Sequence, residues 1–465
     1  MMRFLSSVKR MPVVRTLYQL PFFLRPYHFL LSFFAAWWYG FPSKHLTVIG
    51  VTGTKGKTTT ANIIAQLFQG SGRPAGLATT VNFAIGEREW ANETKQTMLG
   101  RFALQGFLRD IVRAGCRYAV IETSSEGILQ YRHRFIAYDA AVFTNLSPEH
   151  IERHGSFENY RAAKTKLFAR TAKSRESIGI YNLDDENVGY FLRAPMKRKI
   201  GFTLKNGEAA RAAAAKGGVN ETLPVTEVTL GIAKTRFHLN GDAYEMPLVG
   251  EFNVANAAAA IATARAYDVP PAKIEEILRH IRPVPGRFEV INEGQPFTVI
   301  VDYAHEPASL SAAYRTVKLF EPRRVIGILG AQGGGRDKWK RAAMGRIAAE
   351  YCNEIILTNE DPYDDDPEEI MDDIEKGILE YSRNFRPVYK ISDRREAIRH
   401  ALLSARPGDA VMMTGKGGEQ WMCVERGRKI VWNERLVVEE LIHEHAGKII
   451  TTQSSRGASS PREQA

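Results

Sequence analysis

The stretch from Val48 to Phe68, VIGVTGTKGKTTTANIIAQLF, decides the fold of this chain. An apolar run of strand character leads into a glycine-rich turn, and the turn opens a helical segment. Glycines let backbone N–H groups curl around phosphate oxygens at a helix N-terminus, where the partial charge is positive. Lys57 is predicted to reach the β- and γ-phosphates of a nucleotide, and the Thr58 hydroxyl to ligate Mg²⁺. Val51 stands where the full GxxxxGK[ST] pattern has its first glycine. The predicted phosphate-binding residues are Gly53, Thr54, Lys55, Gly56, Lys57, Thr58 and Thr59.

Outward from this stretch, short β-branched runs alternate with longer helical stretches. This pattern predicts an α/β fold with a mainly parallel sheet covered by helices. We place a central domain at residues 46–284 and a second αβ domain at residues 285–450, because prolines and a glycine interrupt the rhythm between them. Residues 205–247 are more polar and are predicted to form a β-hairpin or loops. Residues 451–465 have the Ser, Gly and Pro content of a disordered tail.

The composition narrows the class of protein. Hydrophobic residues make up 44% of the chain and charged residues 25%, which is typical of soluble globular proteins. The three cysteines form no CxxC pair, so we expect neither a zinc site nor disulfides, and we expect the cytoplasm. The net charge of +11 is concentrated early, since no Asp or Glu precedes Glu87. The positive charge could bind anionic lipid or the phosphates of a nucleotide. Nucleic acid is the least favoured of the possible ligands, because no RNA-binding or recognition-helix pattern accompanies the charge.

Residues 1–45 form a short apolar and basic N-terminal segment. Its apolar run, residues 29–39, would make a helix at about 1.5 Å per residue, which falls short of the roughly 30 Å hydrocarbon core of a membrane. Pro21, Arg25 and Pro26 are expected to block extension of this helix toward the N-terminus. Two interpretations stay open: a helix packed on the protein, or an interfacial anchor with Trp37 and Trp38 at the lipid headgroups.

Polar residues follow the predicted strands, where α/β sheets build their sites. Glu122 ends one strand and is a natural metal ligand, with Ser124 and Ser125 in the turn after it. His150 follows the next strand, and Lys164 lies on the helix beyond. Taken singly, Glu122 could be a solvated acid, His150 a structural hydrogen-bonding group and Lys164 a surface lysine.

The order of motifs resembles that of the Mur ligases, and most closely the UDP-N-acetylmuramoyl-peptide ligases of the MurE type. The resemblance covers roughly Leu46 to the 440s, and the combination of motifs is more specific than any one of them. The motifs that carry it are GTKGKTTT, ETSSEG, TNLSPEHIERHG, YRAAKTKLF, FNVANAAAA, VPGRFE, VDYAHEPASL, GGGRDKWKRAAMG, TNEDPYDDDP, SDRREAI and TGKGGEQ.

This resemblance implies a central P-loop ATPase domain, a C-terminal Rossmann-like domain and ATP-dependent amide bond formation in peptidoglycan precursor synthesis. A UDP-MurNAc-peptide carboxylate would attack ATP to form an acyl phosphate, which the amine of an amino acid then attacks. Lys57, Glu122, His150 and Lys164 are the implied catalytic residues. The resemblance implies that Thr58 and Glu122 hold one Mg²⁺, and that Glu122, His150 and Lys164 hold a second. Because an ammonium cannot bind Mg²⁺, it also implies that Lys164 is carbamylated by CO₂.

The resemblance further implies which residues contact the nucleotide and the substrates. Asn253 and Asn256 match positions near adenine, while Arg287, Asp302 and His305 match positions that bring the C-terminal domain onto the nucleotide. From the residues alone, Arg287 and Asp302 are equally consistent with an ion pair at the hinge. The implied substrate contacts are Thr97, Ser124, Ser125, Arg132, Glu360, Asp361, Tyr363, Gly415, Lys416 and Glu419.

The sequence also departs from the MurE-type pattern. The segment of residues 1–45 is shorter than the N-terminal domain that binds UDP in such enzymes, so we expect the UDP end of the substrate to be bound differently. Residues 360–363, Glu-Asp-Pro-Tyr, stand where enzymes that add diaminopimelate have Asp-Asn-Pro-Arg, whose arginine pairs with a carboxylate. The acids at 364–366 suit a free ammonium, so we predict L-lysine or another diamino acid, with a solvated acidic loop as the alternative. Gly418 and Glu126 replace usual histidines.

Other functions remain open at this point. They are a Mur-like ligase acting on a lipid-linked or other carboxylate acceptor, a ligase similar to folylpolyglutamate synthetase, and a membrane-associated P-loop regulatory ATPase. A ligase needs both a peptide and an amino acid for turnover, whereas the regulator needs neither. We expect a monomer with small-molecule substrates, ATP and Mg²⁺, and peripheral membrane contact through residues 1–45 stays open.

Overall fold

The computed structural model describes residues 21–94, 96–149, 151–335, 338–382 and 387–445. Within them, two sheets flanked by helices follow each other along the chain, and a two-stranded hairpin lies near the end of the second. This arrangement confirms the predicted α/β class with a mainly parallel central sheet.

The central sheet has the order β11-β10-β9-β8-β7-β6-β1-β5-β2-β3-β4. Pairing is parallel from β2 through β9, and hairpins add antiparallel strands at both edges. Its strands are β1 (Thr47–Thr52), β2 (Ala75–Ala78), β3 (Asn82–Ile85), β4 (Arg88–Ala91), β5 (Tyr118–Glu122), β6 (Ala140–Phe143), β7 (Ile178–Asn182), β8 (Arg198–Thr203), β9 (Glu221–Leu230), β10 (Thr235–Leu239) and β11 (Asp242–Met246).

The register of the middle strands positions the site. Val51 of β1 pairs with Glu122 of β5 on one side and with Val142 of β6 on the other. The carboxyl ends of these three parallel strands therefore lie side by side, where α/β proteins bind their ligands.

Helices cover both faces of this sheet. One face is packed by α2 and α9, whose buried alanines at 257–260 let the two helices approach closely. The other face is packed by α3 and α6 through larger side chains such as Leu108 and Phe168. The helices of this part are α1 (Pro21–Trp38), α2 (Lys57–Gly70), α3 (Arg101–Arg113), α4 (Ser125–Leu129), α5 (Ile151–His154), α6 (Phe157–Thr171), α7 (Val188–Leu192), α8 (Glu208–Gly217), α9 (Glu251–Ala266) and α10 (Pro271–Leu278).

The second sheet has the order β12-β13-β17-β14-β15-β16, and all its pairs are parallel except β12 with β13. Its elements are β12 (Glu289–Ile291), β13 (Thr298–Val301), α11 (Pro307–Val317), β14 (Val325–Leu329), α12 (Trp339–Tyr351), β15 (Glu354–Leu357), α13 (Pro367–Tyr381), β16 (Val388–Lys390), α14 (Arg394–Ser404), β17 (Ala410–Met413) and α15 (Glu434–Glu444), with the hairpin β18 (Trp421–Cys423) and β19 (Lys429–Val431).

A buried ion pair fixes two loops of this half. The side chains of Arg394 on α14 and Glu434 on α15 are 0% exposed and hydrogen-bonded to each other. Arg394 also donates to the carbonyl oxygens of Asn359 at 3.0 Å and Thr414 at 2.8 Å. These carbonyls immediately precede Glu360 and Gly415, so the ion pair positions both predicted substrate loops.

Two predictions about local structure were wrong. Residues 208–217 form a helix inside the segment predicted to be hairpin or loop, because its alanine-rich sequence favours a helix without large apolar side chains to reveal one. The helix α1 also includes Arg25 and Pro26, which were expected to block it; Pro26 removes one backbone donor without ending the helix, whose described part begins at Pro21. Among the described residues, no helix is long and apolar enough to cross a membrane.

Candidate functional site

The glycine-rich loop joins the carboxyl end of β1 to the first turn of α2. A Cβ on Gly53, whose φ is 155°, would lie 1.9 Å from Thr144 Oγ1. A Cβ on Gly56, whose φ is 79°, would lie 2.2 Å from Asn256 Oδ1. Both positions therefore require glycine. The Thr144 hydroxyl also donates to the Lys55 carbonyl oxygen at 2.7 Å, so the end of β6 holds the loop in place.

Glu122, the last residue of β5, lies beneath the first turn of α2. It is 2% exposed, and its Oε2 accepts hydrogen bonds from the Thr58 hydroxyl at 2.9 Å, the Thr80 N–H at 2.8 Å and the Thr80 hydroxyl at 3.0 Å. The interpretation of Glu122 as a solvated acid is therefore wrong. Hydroxyl and carboxylate oxygens are the ligand types that Mg²⁺ prefers, so Thr58 and Glu122 fit a magnesium ion.

The amines of Lys57, which is half-buried, and Lys164, which is buried, lie beside this pair. Lys57 Nζ donates to the Thr54 carbonyl oxygen at 2.8 Å, and Lys164 Nζ donates to the Gly53 carbonyl oxygen at 2.6 Å. Burial lowers the pKa of Lys57, and burial together with the Lys57 charge lowers the pKa of Lys164 well below its usual value. The surface interpretation of Lys164 is wrong, because this lysine is 2% exposed.

His150 lies outside the described residues, but its neighbour Glu149 is buried in the same region. Glu149 Oε1 accepts from Lys55 Nζ at 3.0 Å and lies 3.6 Å from His305 Nε2. Burial lowers the pKa of His305 to about 3, so its imidazole is neutral near neutral pH. This contact brings His305 of the C-terminal half onto the phosphate loop.

A second buried ion pair continues this network. Lys340 Nζ donates to Glu306 Oε1 at 2.7 Å. Ligand atoms of Glu149, His305 and Glu306 all lie within 4.8 Å of one another, a spacing that a metal ion could use. Because ammonium groups already contact both carboxylates, we interpret this cluster as an ion-pair network.

The two asparagines of α9 support the loop from the side. Asn256 Oδ1 accepts from the Thr60 hydroxyl at 3.3 Å, and Asn256 Nδ2 donates to Asn253 Oδ1 at 3.2 Å. Asn253 Nδ2 in turn donates to the Val249 carbonyl oxygen at 2.9 Å. Asn256 faces the open space beside Gly56, and Asn253 lies behind it.

Arg287 and Asp302 meet near the start of the C-terminal half without the direct ion pair considered above. Asp302 accepts from the N–H groups of Phe288 at 2.7 Å and Ala304 at 2.8 Å. Burial raises the pKa of Asp302 despite the opposing charge of Arg287. The Arg287 guanidinium carbon lies 4.0 Å from the centroid of the Tyr303 ring, which is a cation–π contact. Arg287 is therefore stacked rather than paired.

The predicted contacts for the peptide surround the carboxyl end of β5. The Thr97 and Thr80 hydroxyl oxygens lie 3.1 Å apart, and Ser124 caps α4. Ser125 Oγ lies 3.1 Å from His154 Nε2. Burial lowers the pKa of Arg132 to about 10, which leaves its guanidinium charged at neutral pH. Arg132 and the hydroxyl groups of Thr97, Ser124 and Ser125 thus line the same space.

Asp361 and Lys416 form the centre of the second predicted substrate region. Asp361 Oδ1 accepts from Lys416 Nζ at 2.9 Å and from the Cys423 N–H at 2.7 Å. Lys416, which is 0% exposed, also reaches Glu419 Oε2 at 2.7 Å. These contacts tie the loop after β15, the loop after β17 and the hairpin β18–β19 together.

Glu360 lies directly behind these groups. Burial raises its pKa to about 7, and within the described part of the chain neither of its carboxyl oxygens has a hydrogen-bond partner. Gly415, whose φ is 104°, would place a Cβ 2.5 Å from Glu360 Oε2. Gly415 is therefore required for the two loops to pack.

The three acids after Tyr363 are engaged within the protein. Asp364 Oδ1 accepts from the Arg426 N–H at 2.7 Å, Asp365 Oδ2 lies 3.4 Å from Arg341 Nη2, and Asp366 caps α13. These contacts weaken the charge argument for an ammonium side chain. The other argument for lysine, that position 363 is a tyrosine and not an arginine, is unaffected by these contacts.

One cavity of about 980 Å³ joins the phosphate loop to the second region. The predicted site residues that line it are Thr54, Lys55, Gly56, Lys57, Thr58, Thr59, Thr97, Glu122, Ser124, Ser125, Arg132, Asn256, Arg287, Asp302, His305, Asp361, Tyr363 and Glu419. Those that lie outside this lining are Gly53, Lys164, Asn253, Glu360, Gly415 and Lys416. The fold thus brings distant motifs around one space.

Sequence reasoning missed several residues that line this cavity. Glu149 directly precedes His150 after a strand end, and Lys340 lies in the GGGRDKWKR motif. Their positions in these motifs could have identified both as candidate site residues. Tyr303 follows Asp302 and was detectable in the same way. Thr80 had no signal, because its role depends on the packing of β2 against β5.

Comparison with known proteins gives two family matches. Residues 51–264 match the Mur ligase middle domain, and residues 286–417 match the Mur ligase, glutamate ligase domain. The chain is 38% identical over 395 residues to UDP-N-acetylmuramoyl-L-alanyl-D-glutamate–2,6-diaminopimelate ligase of Geobacillus thermodenitrificans, a match that covers 83% of this chain and 77% of the relative. It is 36% identical over 398 residues to UDP-N-acetylmuramyl-tripeptide synthetase of Roseiflexus sp., covering 83% and 76%.

Solved structures show the same architecture. A UDP-N-acetylmuramoyl-L-alanyl-D-glutamate–2,6-diaminopimelate ligase aligns with a TM-score of 0.58 and 29% identity, covering 86% of this chain and 79% of the other. Mycobacterium tuberculosis folylpolyglutamate synthase complexed with ADP aligns with a TM-score of 0.62 and 17% identity, covering 83% and 91%, which is evidence for the fold alone.

Substitution of Gly56 tests whether the shape of the loop controls phosphate binding. Gly56→Ala is expected to displace Asn256 and to weaken MgADP binding at least tenfold, as measured by isothermal titration calorimetry. Gly72→Ala is the matched control, because Gly72 has φ 75° but nothing within 4 Å of its Cβ position. Both variants carry a similar backbone cost of about 1 kcal/mol. Equal loss of affinity in the two variants would contradict the expectation.

Proposed function

The chain belongs to the Mur ligase family of ATP-dependent, ADP-forming amide ligases, and we propose that it adds a diamino acid to the peptide carboxylate of a UDP-MurNAc-dipeptide. The observation that carries this proposal is the continuous cavity that is lined both by the phosphate loop and by Asp361 and Tyr363 of the loop at 360–363. A ligase of this kind must bring a nucleotide, a carboxylate and an amine into one space.

The reaction of the family proceeds through an acyl phosphate. A carboxylate oxygen of the peptide attacks the γ-phosphorus of ATP, and ADP leaves. The neutral amine then attacks the carbonyl carbon, a proton is released, and phosphate leaves as the amide forms. Both steps concentrate negative charge, and positioned cations stabilise it. Lys55, Lys57 and Arg287 line the cavity and supply these cations.

Mg²⁺, when bound, withdraws charge from the transferring phosphoryl group. We propose Thr58 and Glu122 as ligands of one ion, and Glu122, His150 and a modified Lys164 as ligands of a second. The buried hydroxyl and carboxylate of the first pair already lie 2.9 Å apart, which supports this assignment. Lys57 is assigned to the β- and γ-phosphates.

The modification that we propose for Lys164 is a carbamate. The amine adds to CO₂ with loss of one proton, which replaces a cation by a carboxylate. Support comes from the burial of Lys164 and from its contact with the Gly53 carbonyl oxygen at 2.6 Å, which place its amine against the phosphate loop. An unmodified ammonium there would repel both Lys57 and a metal ion.

We further assign the remaining contacts from their places around the cavity. Asn253 and Asn256 support the adenine end, and Arg287, Asp302 and His305 bring the C-terminal domain onto the nucleotide. Peptide recognition is assigned to Thr97, Ser124, Ser125 and Arg132, and amino-acid recognition to Glu360, Asp361, Tyr363, Gly415, Lys416 and Glu419.

We also propose that the enzyme acts as a monomer in the cytoplasm, with residues 1–45 contacting a membrane surface. The central domain is assigned to residues 46–284 and the C-terminal domain to residues 285–450. The change from the first sheet to the second between residues 246 and 289 supports this division.

Phosphate release and product mass test the proposed reaction directly. The enzyme is given MgATP and UDP-MurNAc-L-Ala-D-Glu with L-lysine, diaminopimelate, ornithine or no amino acid. We expect phosphate release to need both the peptide and a diamino acid, and mass spectrometry to find a product heavier by one amino-acid residue. ATP hydrolysis that is unaffected by either substrate would contradict the ligase assignment. Absence of product with every amino acid would contradict the UDP carrier, and lipid-linked acceptors would then be tested.

Substitution of Lys164 tests the carbamate. Lys164→Ala is expected to reduce amide formation about a hundredfold to a thousandfold, because a buried group that positions charge is lost. A short-chain carboxylic acid added to this variant is expected to restore part of the rate by supplying the missing carboxylate. Lys166→Ala, two residues away and exposed, is the control and should keep full activity. Full activity of Lys164→Ala would contradict the carbamate.

Substitution of Tyr363 tests the choice of amino acid. We predict that the wild type prefers L-lysine, since position 363 lacks the arginine that would pair with the distal carboxylate of diaminopimelate. Tyr363→Arg should raise kcat/KM for diaminopimelate relative to lysine about tenfold, the size of one charge-assisted contact. Tyr363→Gln removes the ring without adding a cation and should leave that ratio unchanged. A wild-type preference for diaminopimelate would refute the prediction.

A further inference from the structure

The helix α1 presents a continuous apolar stripe to solvent. Leu30, Phe34, Trp37 and Trp38 are 53%, 55%, 57% and 59% exposed, and Phe33 is 40% exposed. These positions recur at intervals of three and four residues, so they share one face of the helix. A run of exposed large side chains of this kind marks a binding surface, unlike a single exposed leucine.

The opposite face of α1 is packed firmly on the protein. Ala35 and Ala36 are 0% exposed, and the helix lies against α3. Just beyond the helix, the Tyr39 ring lies 4.5 Å from the Arg109 guanidinium carbon and 6.5 Å from the Phe102 ring. The stripe is therefore held outward by a fixed inner face.

A basic groove of about 390 Å³ adjoins this stripe. Its described lining includes Arg134, Lys166, Arg170 and Lys173 and contains no acid. His133 also lines it, is 5% exposed, and has no hydrogen-bond partner for Nδ1 within the described residues. The groove therefore combines four cations with a buried polar atom that lacks a partner, as an anion-binding pocket does.

Aromatic contacts join the groove to α1 through Phe29, which is 36% exposed and immediately precedes Leu30 of the stripe. Tyr131 lines the groove, and its ring centroid lies 6.2 Å from that of Phe29 on α1. Arg134 also lines the groove, and its guanidinium carbon lies 5.8 Å from the Phe29 ring. A ligand that covers this surface meets apolar side chains and cations next to each other.

We propose that this surface docks on an anionic phospholipid bilayer, with the α1 stripe in the headgroup region and a lipid phosphate in the basic groove. Tryptophan and phenylalanine at an interface, combined with lysine and arginine beside them, are the features of helices that lie on membranes. Charge complementarity selects this occupant: the described lining of the groove carries four cations and no acid, and the sequence contains no acid before Glu87. A second copy that paired through this same surface would bring its own groove cations near these four.

Vesicle sedimentation with the full chain tests the proposal. Extruded vesicles of phosphatidylcholine alone are compared with vesicles in which about a third of the lipid is phosphatidylglycerol. We expect binding to the anionic vesicles, at least tenfold weaker binding to the neutral ones, and a decrease with salt. Tryptophan fluorescence should shift to the blue on binding and be quenched by lipids brominated near the headgroup. Equal binding to both vesicles, or no binding to either, overturns the proposal.

Matched variants separate the two halves of the surface. Phe34→Glu/Trp37→Glu places two carboxylates in the stripe, and Lys166→Glu/Lys173→Glu reverses two charges of the groove; each should weaken binding to anionic vesicles at least tenfold. Ile232→Glu/Val431→Glu alters side chains that are 58% and 73% exposed on other elements and should bind as the wild type does. Ligase turnover with soluble substrates should stay unchanged in all three variants, which shows that they fold.

Sedimentation velocity without lipid tests the alternative that a second copy of the chain binds to this surface. A dimer that Phe34→Glu/Trp37→Glu dissociates, together with no vesicle binding by the wild type, would overturn the proposal and assign the stripe to a second copy. Loss of vesicle binding in the Ile232→Glu/Val431→Glu control would overturn it as well, because binding would then not depend on this surface.

Discussion

The burial of opposite charges beneath the glycine loop is the constraint on which the rest of the site depends. Glu122 and Lys164 are buried within one small region, and the half-buried Lys57 lies beside them. A buried ion without a partner costs several kcal/mol, so each of these groups needs a donor or acceptor at a fixed place. Three adjacent parallel strands provide these fixed places. They end at Thr52, Glu122 and Phe143 on one edge of the sheet, and the loops that carry the donors and acceptors begin there.

The same constraint explains why the loop tolerates so little change. Its carbonyl oxygens accept from the two lysines, and its glycines leave room for Thr144 and Asn256. A side chain on the loop would push away a group that holds either the backbone or a charge. The helix α9 is alanine-rich for a related reason, since only small side chains let it approach α2 closely enough for Asn256 to reach the loop.

Sequence reasoning was most successful where local pattern and chemistry coincide. The strand, glycine turn and helix at 48–68 predicted the central sheet and the place of Thr58. The strand that ends at Glu122 predicted the place of that carboxylate, because parallel strands end at one edge of a sheet. It was least successful where a contact depends on packing between distant segments. The ion pair between Asp361 and Lys416 forms only because two loops of the second sheet meet, and no local sequence pattern predicts that these two side chains lie close together. The acids at 364–366 show the opposite error: their charge suggested a ligand, whereas Arg341, the Arg426 N–H and a helix N-terminus already engage them.

A short series of contacts connects α1 with the cavity. His28 on α1 contacts Arg101 at the start of α3, and Arg101 Nε donates to the Gln130 carbonyl oxygen at 3.1 Å. Gln130 Oε1 in turn accepts from Arg132 Nη2 at 2.7 Å, and Arg132 lines the cavity. The outward stripe takes no part in this series, so changing it leaves the support of Arg132 intact. The packing of α1 against α3 holds α1 in place, and it also fixes Arg101 at the start of α3. Attachment to a bilayer and positioning of the peptide therefore rely on the same packed interface between α1 and α3.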